Sequence, residues 1–147
     1  MAPGDMTEDD KTRINGAVAV AENETGLEFC VIVGTKRGDD PRHEAERAFH
    51  KIGLHERPAV MIMVTPEART LEVVTAHELA DRLSDQSCAE AVRLMTGLFS
   101  TGDFVGGIER GIELLAERAG ARTDGREGHV GADLPNIIDV GEVDGDD

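Results

Sequence analysis

The stretch LEFCVIVG at residues 27–34 decides the fold class, because it is apolar at nearly every position. Successive side chains of a strand point to opposite faces of the sheet, so such a run belongs in a sheet that is covered on both sides. A second run, AVMIMV, occupies residues 59–64, and LEVV follows at residues 71–74 after the turn sequence TPEART. We expect the second and third runs to form a hairpin, because the turn between them is short and contains proline.

Helical patterns surround these three strands. Apolar residues recur at helical spacing after Thr7, after Asp40-Pro41, and in the two segments that begin near Ser84 and Asp103. A shorter helical pattern, ELADRL, follows the third strand. The order α-β-α-β-β-α-α predicts an α/β fold, a small sandwich in which helices cover a mixed sheet.

The chain of 147 residues is expected to form one domain. We place this domain at residues 7–120, after a disordered N-terminus at residues 1–6. Residues 121–147 are rich in glycine and acidic residues and predict an acidic, mostly disordered tail.

The formal net charge of −15 argues against a nucleic-acid or anionic-membrane partner, because both are polyanions that require clustered Lys and Arg. No apolar run approaches the ~20 residues that cross a bilayer, and the N-terminus lacks the pattern of a signal peptide. We therefore expect a cytoplasmic protein without membrane insertion. Cys30 and Cys88 lie in a predicted strand and a predicted helix, and we interpret both as buried thiols.

One apolar island, LPNIIDV at residues 134–140, interrupts the acidic tail. It fits three hypotheses: an added strand at a sheet edge, a segment that binds a partner's groove, or a remnant without function. The partner-binding hypothesis assigns the contact to its four apolar side chains, Leu134, Ile137, Ile138 and Val140.

The turn GTKRGDDP at residues 34–41 is a candidate ligand site, because it follows the first strand and opens a helix. Lys36 and Arg37 would meet an anion, and Asp39 and Asp40 would meet a cation. Asp103, at the start of the last helix, is the further candidate. Phosphate-loop spacing is absent, and the simpler interpretation is a structural turn followed by an N-cap.

The stretch VTAHELADRL at residues 74–83 contains a His-Glu pair. A zinc-protease helix needs a second His four residues after the first, and that position is Asp81 here. Thr75-x-x-Glu78 instead matches a helix capping box, which is the interpretation that we favour. In the alternative, Asp40, His77 and Glu78 hold one metal ion, which requires adjacent strand ends.

Three stretches taken together resemble the TPM domain family of small α/β domains: EFCVIVGT, AVMIMVTPEARTLEVVTAHEL and STGDFVGGIERGIELL. The resemblance spans about residues 7–119 and is nearest to a small cytoplasmic branch in high-GC Gram-positive bacteria. It implies acid phosphatase activity and divalent-metal binding as in some members, or roles in photosystem repair or receptor assembly as in others. Where the family has Gly-Tyr-Gly followed by Glu, only Glu78 corresponds in this chain.

Catalysis has no positive support in the residues, because a Gly-x-Ser-x-Gly elbow is missing and the chain has neither Trp nor Tyr. We therefore predict a non-catalytic binding or interaction module that contacts a protein partner through its acidic tail. The alternative is a divalent-metal-dependent phosphatase that uses carboxylates at the strand ends. The module needs no cofactor, whereas the phosphatase would need a divalent cation, calcium or magnesium.

Overall fold

The computed structural model describes residues 6–34 and 40–121, and the backbone of residues 137–139. Its helices are α1 (Glu8–Thr25), α2 (Pro41–Ile52), α3 (Asp85–Ser100) and α4 (Phe104–Ala119), and its strands are β1 (Glu28–Val33), β2 (Ala59–Thr65), β3 (Thr70–Thr75) and β4 (Ile137–Asp139). The predicted α/β class and the order α-β-α-β-β-α-α are confirmed, and β4 extends that order.

The strands form one mixed sheet in the order β3-β2-β1-β4. β1 runs parallel to β2, with Glu28 beside Ala59 and Val33 beside Val64. β3 returns antiparallel to β2, so the predicted hairpin is confirmed. Every residue of β1 and β2 is buried, because both strands lie inside the sheet and helices cover its faces.

β4 comes from the apolar island of the tail and pairs in parallel with β1, Ile137 lying beside Val31. The backbone of Ile137–Asp139 therefore adds to a sheet edge, which is one of the three hypotheses for the island. Leu134 and Val140 lie outside the described residues, as do Lys36, Arg37 and Asp39 of the loop after β1. Met6, placed in the predicted disordered N-terminus, is buried against the core.

Side-chain caps begin all four helices. Thr7 and Asp10 form a reciprocal capping box on α1, and Asp40 accepts a hydrogen bond from the His43 amide at the start of α2. Ser84 caps α3 and Asp103 caps α4 in the same way.

The segment after β3 differs from the prediction. The ELADRL pattern predicts a helix, but only one 3-10 turn forms, at His77–Leu79, before α3 begins at Asp85. The predicted capping box at Thr75 and Glu78 is wrong, because no side chain caps this turn. Thr75 still belongs to β3, and the amide of Ala76 donates to the carbonyl of Ala59, so the chain leaves the sheet too late for Thr75 to cap a helix.

Candidate binding groove

Two of the predicted site residues are occupied with structural roles. Asp40 caps α2 with a distance of 3.1 Å from its Oδ1 to the His43 nitrogen. Asp103 caps α4 with 3.0 Å from its Oδ1 to the Gly106 nitrogen. Each carboxylate satisfies an amide of the first helical turn that has no partner within the helix.

The structure does not bring the three predicted metal ligands to adjacent strand ends. His77 and Glu78 follow the end of β3, where Thr75 lies beside Val60, near the start of β2. The chain leaves β1 towards Asp40 at the opposite end, where the Gly34 amide donates to the Val64 carbonyl. Val60 and Val64 are separated by roughly 13 Å along a strand. Within the described part of the chain, no group of three or more His, Cys, Asp or Glu residues is placed to hold a metal ion.

A different site lies at the carboxyl end of β2, where the chain turns into β3. It is a groove with a volume of about 480 Å³ between this turn and the junction of α3 and α4. Ten residues line it: Val64, Pro66, Arg69, Thr70, Leu71, Thr96, Phe99, Ser100, Gly102 and Phe104. Open α/β sheets commonly bind ligands beyond the carboxyl ends of their parallel strands, which is where this groove lies.

The apolar wall of the groove is built by the turn between α3 and α4. Phe99 at the end of α3 and Phe104 at the start of α4 stack with their ring centroids 5.0 Å apart. Phe99 packs against α4 at Gly107, where a β-carbon would stand 2.6 Å from the Phe99 Cε1 atom. A residue without a side chain at position 107 is therefore what allows the Phe99 ring to occupy its place.

Arg69 lies at the polar rim of the groove. Its backbone has φ = 57°, and it is the one non-glycine residue in the described ranges with a positive φ. The 3-10 turn at Pro66–Ala68 brings the Arg69 amide to the Pro66 carbonyl, to which it donates, and the left-handed conformation of Arg69 then ends this turn directly before β3. Its exposed guanidinium makes no hydrogen bond or ion pair with the described residues, which leaves its donors available for a ligand.

The sequence prediction missed the groove. The apolar spacing after Ser84 and after Asp103 predicts only that Phe99 and Phe104 lie on helix faces, and Arg69 lies in the predicted turn TPEART. The sequence does show a positively charged residue in a proline-containing turn directly after a fully apolar strand. It does not show that this turn contacts α3, because the two segments are distant in the chain and meet only in the folded protein.

The two cysteines are poor candidates for reactive groups. Burial, with the nearby carboxylates of Glu28 and Glu22, raises the pKa of the Cys30 thiol to about 12. Cys88 is half-buried rather than buried, and burial also raises its pKa. Glu28 is itself buried, with one carboxylate oxygen 3.3 Å from the Arg57 guanidinium.

A family model described as Domain of unknown function (DUF5130) matches residues 3–116, which is most of the chain. The chain belongs to this family. The resemblance to the TPM domain family is wrong, because the family model that matches is that of DUF5130 and no TPM match is found. That resemblance rested on the order and spacing of three stretches, and a shared order of elements does not by itself identify a family. No curated protein matches the chain.

Several solved structures resemble the DUF5130 chain in fold. The NMR structure of the BA42 protein from the psychrophilic bacterium Bizionia argentinensis has a TM-score of 0.80 at 22% identity, over 93% of this chain and 96% of that one. The N-terminal domain of a protein from P. gingivalis has a TM-score of 0.67 at 16% identity, over 79% of this chain and 77% of that one. The N-terminal domain of the cg2496 protein from Corynebacterium glutamicum has a TM-score of 0.67 at 17% identity, over 86% of this chain and 83% of that one.

These identities are low, so the structural matches establish the fold, and function has to be argued from the site itself.

In the described part of the chain, no helix is both long enough and apolar enough to span a membrane.

Proposed function

We propose that this DUF5130 chain is a non-catalytic, cytoplasmic binding module whose ligand occupies the groove at the carboxyl end of β2. The observation that carries the proposal is an apolar groove with an unpaired guanidinium, that of Arg69, at its rim. The ligand is an apolar molecule or chain segment that bears a carboxylate or another anionic group.

The dimensions and lining of the groove support this ligand. Sites for small molecules typically have volumes of roughly 300–1,000 Å³ and combine apolar walls with a few polar groups. The stacked rings of Phe99 and Phe104 would bury an apolar body, and the hydroxyls of Thr70 and Thr96 would reach its polar end. A guanidinium presents paired N–H donors that match the two oxygens of a carboxylate.

The lining also supports binding without catalysis. The ten residues around the groove include no His, Cys, Asp, Glu or Lys, so none of them is a general acid or base near neutral pH. The phosphatase alternative needs carboxylates that share a cation. Asp40 and Asp103 each cap a helix instead, and neither lines the groove.

Interaction of a protein partner with the acidic tail stays a prediction. The four apolar residues assigned to that contact are Leu134, Ile137, Ile138 and Val140. The pairing of the Ile137–Asp139 backbone with β1 favours a structural use of this part of the island.

Octanoate is a suitable probe, because it joins an unbranched apolar body to one carboxylate, and octanol provides the uncharged comparison. Binding is followed by amide chemical shifts of the full chain, in wild type, Arg69→Gln and the control Arg93→Gln, which alters an exposed arginine of α3 outside the groove. We expect octanoate to shift the amides around Phe99 and Leu71, and Arg69→Gln to weaken it at least about tenfold, as loss of a charge-assisted hydrogen bond predicts.

Octanol should bind all three proteins with the same affinity, because it offers no charge to Arg69. Equal octanoate affinities for the two arginine variants would contradict the proposal, as would shifts confined to residues outside the groove.

A further inference from the structure

A second groove lies between α1 and α4 and shares no residue with the groove at β2. It has a volume of about 600 Å³ and is lined by nine residues: Gly16, Ala17, Val20, Ala21, Glu24, Glu109, Glu113, Ala116 and Glu117. Four of the nine are glutamates, none is Lys or Arg, and the other five are small or apolar. The groove therefore combines an apolar floor with an acidic rim.

The acidic rim concentrates negative charge along α4. Glu109, Glu113 and Glu117 follow one another at four-residue spacing along α4, an arrangement in which like charges repel. Arg13 of α1 donates to Glu109 with 3.2 Å between Nε and Oε2, and Arg110 lies 3.6 Å from Glu113 at an exposed position. The side chain of Glu117 makes no hydrogen bond or ion pair with the described residues.

Part of the apolar floor is open to solvent, at Gly16 and Val20, whereas Ala21 and Ala116 are buried. Val20 is 58% exposed, more than any other large hydrophobic side chain in the described ranges. At Gly16 no atom lies within 4 Å of the position that a β-carbon would take. With Ala17 and Ala21 beside them, these residues form a shallow surface that the backbone of another element can approach closely.

We propose that the groove between α1 and α4 docks a basic amphipathic helix of a partner protein. The third helix would lie along the groove at the usual separation of roughly 8–10 Å between helix axes. Its apolar stripe would cover Val20 and Ala17, and its Lys or Arg residues would pair with Glu24 on one side and with Glu113 and Glu117 on the other.

The charges select this partner over others. A nucleic acid or an anionic membrane is repelled by four carboxylates. A single metal ion does not explain the rim either, because Glu109 and Glu117 are separated by roughly 12 Å along the helix. A cationic helix of several turns matches that separation and also covers the exposed valine.

The probe is a synthetic amphipathic helix of leucine and lysine, about four turns long, titrated calorimetrically into the full chain at about 0.15 M salt. The groove variant is Glu113→Lys with Glu117→Lys. The control is Glu67→Lys with Glu78→Lys, two exposed acids outside the groove that give the same change in net charge. A third variant, Gly16→Leu, fills the open floor without a change in charge.

We expect one peptide to bind per chain, and the groove variant to weaken binding at least about tenfold while the control changes it less than about twofold. Gly16→Leu should weaken binding as well. Equal losses in the two charge variants would overturn the proposal, because they would mean that the peptide responds only to the overall negative charge. Binding unchanged in Gly16→Leu would also overturn it.

Discussion

Gly107 is the position at which the packing of α3 on α4 and the shape of the β2 groove depend on one missing side chain. In Gly107→Ala the added β-carbon would stand 2.6 Å from Cε1 and 2.7 Å from Cδ1 of Phe99. Carbon atoms in contact prefer about 3.5–4.0 Å, so the ring has to move by roughly 1 Å. The ring lies against Gly107 and stacks on Phe104, both residues of α4, so we expect this movement to disturb both contacts.

The magnitude follows from a comparison with Gly97→Ala. Gly97 lies within α3, and no atom is within 4 Å of its added β-carbon. Both substitutions gain the same helix propensity, about 0.5–1 kcal/mol, so this gain cancels when the two variants are compared. What is left is the cost of overpacking, and we expect Gly107→Ala to be about 1–3 kcal/mol less stable than Gly97→Ala.

The assay is urea unfolding followed by circular dichroism, because the chain has neither Trp nor Tyr for fluorescence. Equal free energies of unfolding for the two variants would refute the reasoning, since they would mean that Phe99 is not confined beside Gly107. Octanoate titration of the same variants provides a second measurement, and we expect only Gly107→Ala to alter it.

Three further predictions concern α1 and the cysteines. Thr7→Ala removes the capping box of α1 and should lower the free energy of unfolding by about 1 kcal/mol in the same urea assay. Burial raises the pKa of Glu22 above its usual value of 4.5, although the hydrogen bond from the Phe29 amide opposes this effect. The folded chain therefore holds the Glu22 proton more tightly than the unfolded chain, and it loses stability as the pH rises above 4.5 and this proton is released. Glu22→Gln should therefore gain stability over wild type between acidic and neutral pH and gain none at a pH below 4.5, as unfolding curves at several pH values would show. In a thiol titration of the folded chain at about pH 8, Cys88 should react first, and Cys30 should react only when the chain unfolds. Equal reaction rates of the two thiols in the folded chain would contradict the burial of Cys30.

The features that the sequence predicts correctly are those determined by residues close together in the chain. Helices are predicted to begin near Thr7, Asp40, Ser84 and Asp103, and each of these residues caps a helix through an amide three residues later, so the cap and its partner occur in one short stretch. The uniform burial of β1 was predictable for the same reason, since an apolar run without alternation has no face suited to water.

The predicted metal site shows how a correct local feature can exclude a distant one. A hairpin between β2 and β3 requires β3 to end beside the start of β2. His77 and Glu78, which follow β3, are then at the opposite end of the sheet from the chain that leaves β1. The hairpin and a shared site with Asp40 are therefore incompatible, and the direction of β3 decides between them.

The β2 groove required knowledge of a contact between two turns that the sequence separates by about thirty residues. One turn places Arg69 in a left-handed conformation, and the other stacks Phe99 on Phe104. Gly107 and Gly111 connect this groove to the core, because a β-carbon at either position would meet a side chain of α3, that of Phe99 or that of Met95. Their four-residue spacing places both glycines on one face of α4, so the close approach of α3 is determined along that face. The position of the Phe99 ring, and with it the apolar wall of the groove, follows from the same packing that stabilises the fold.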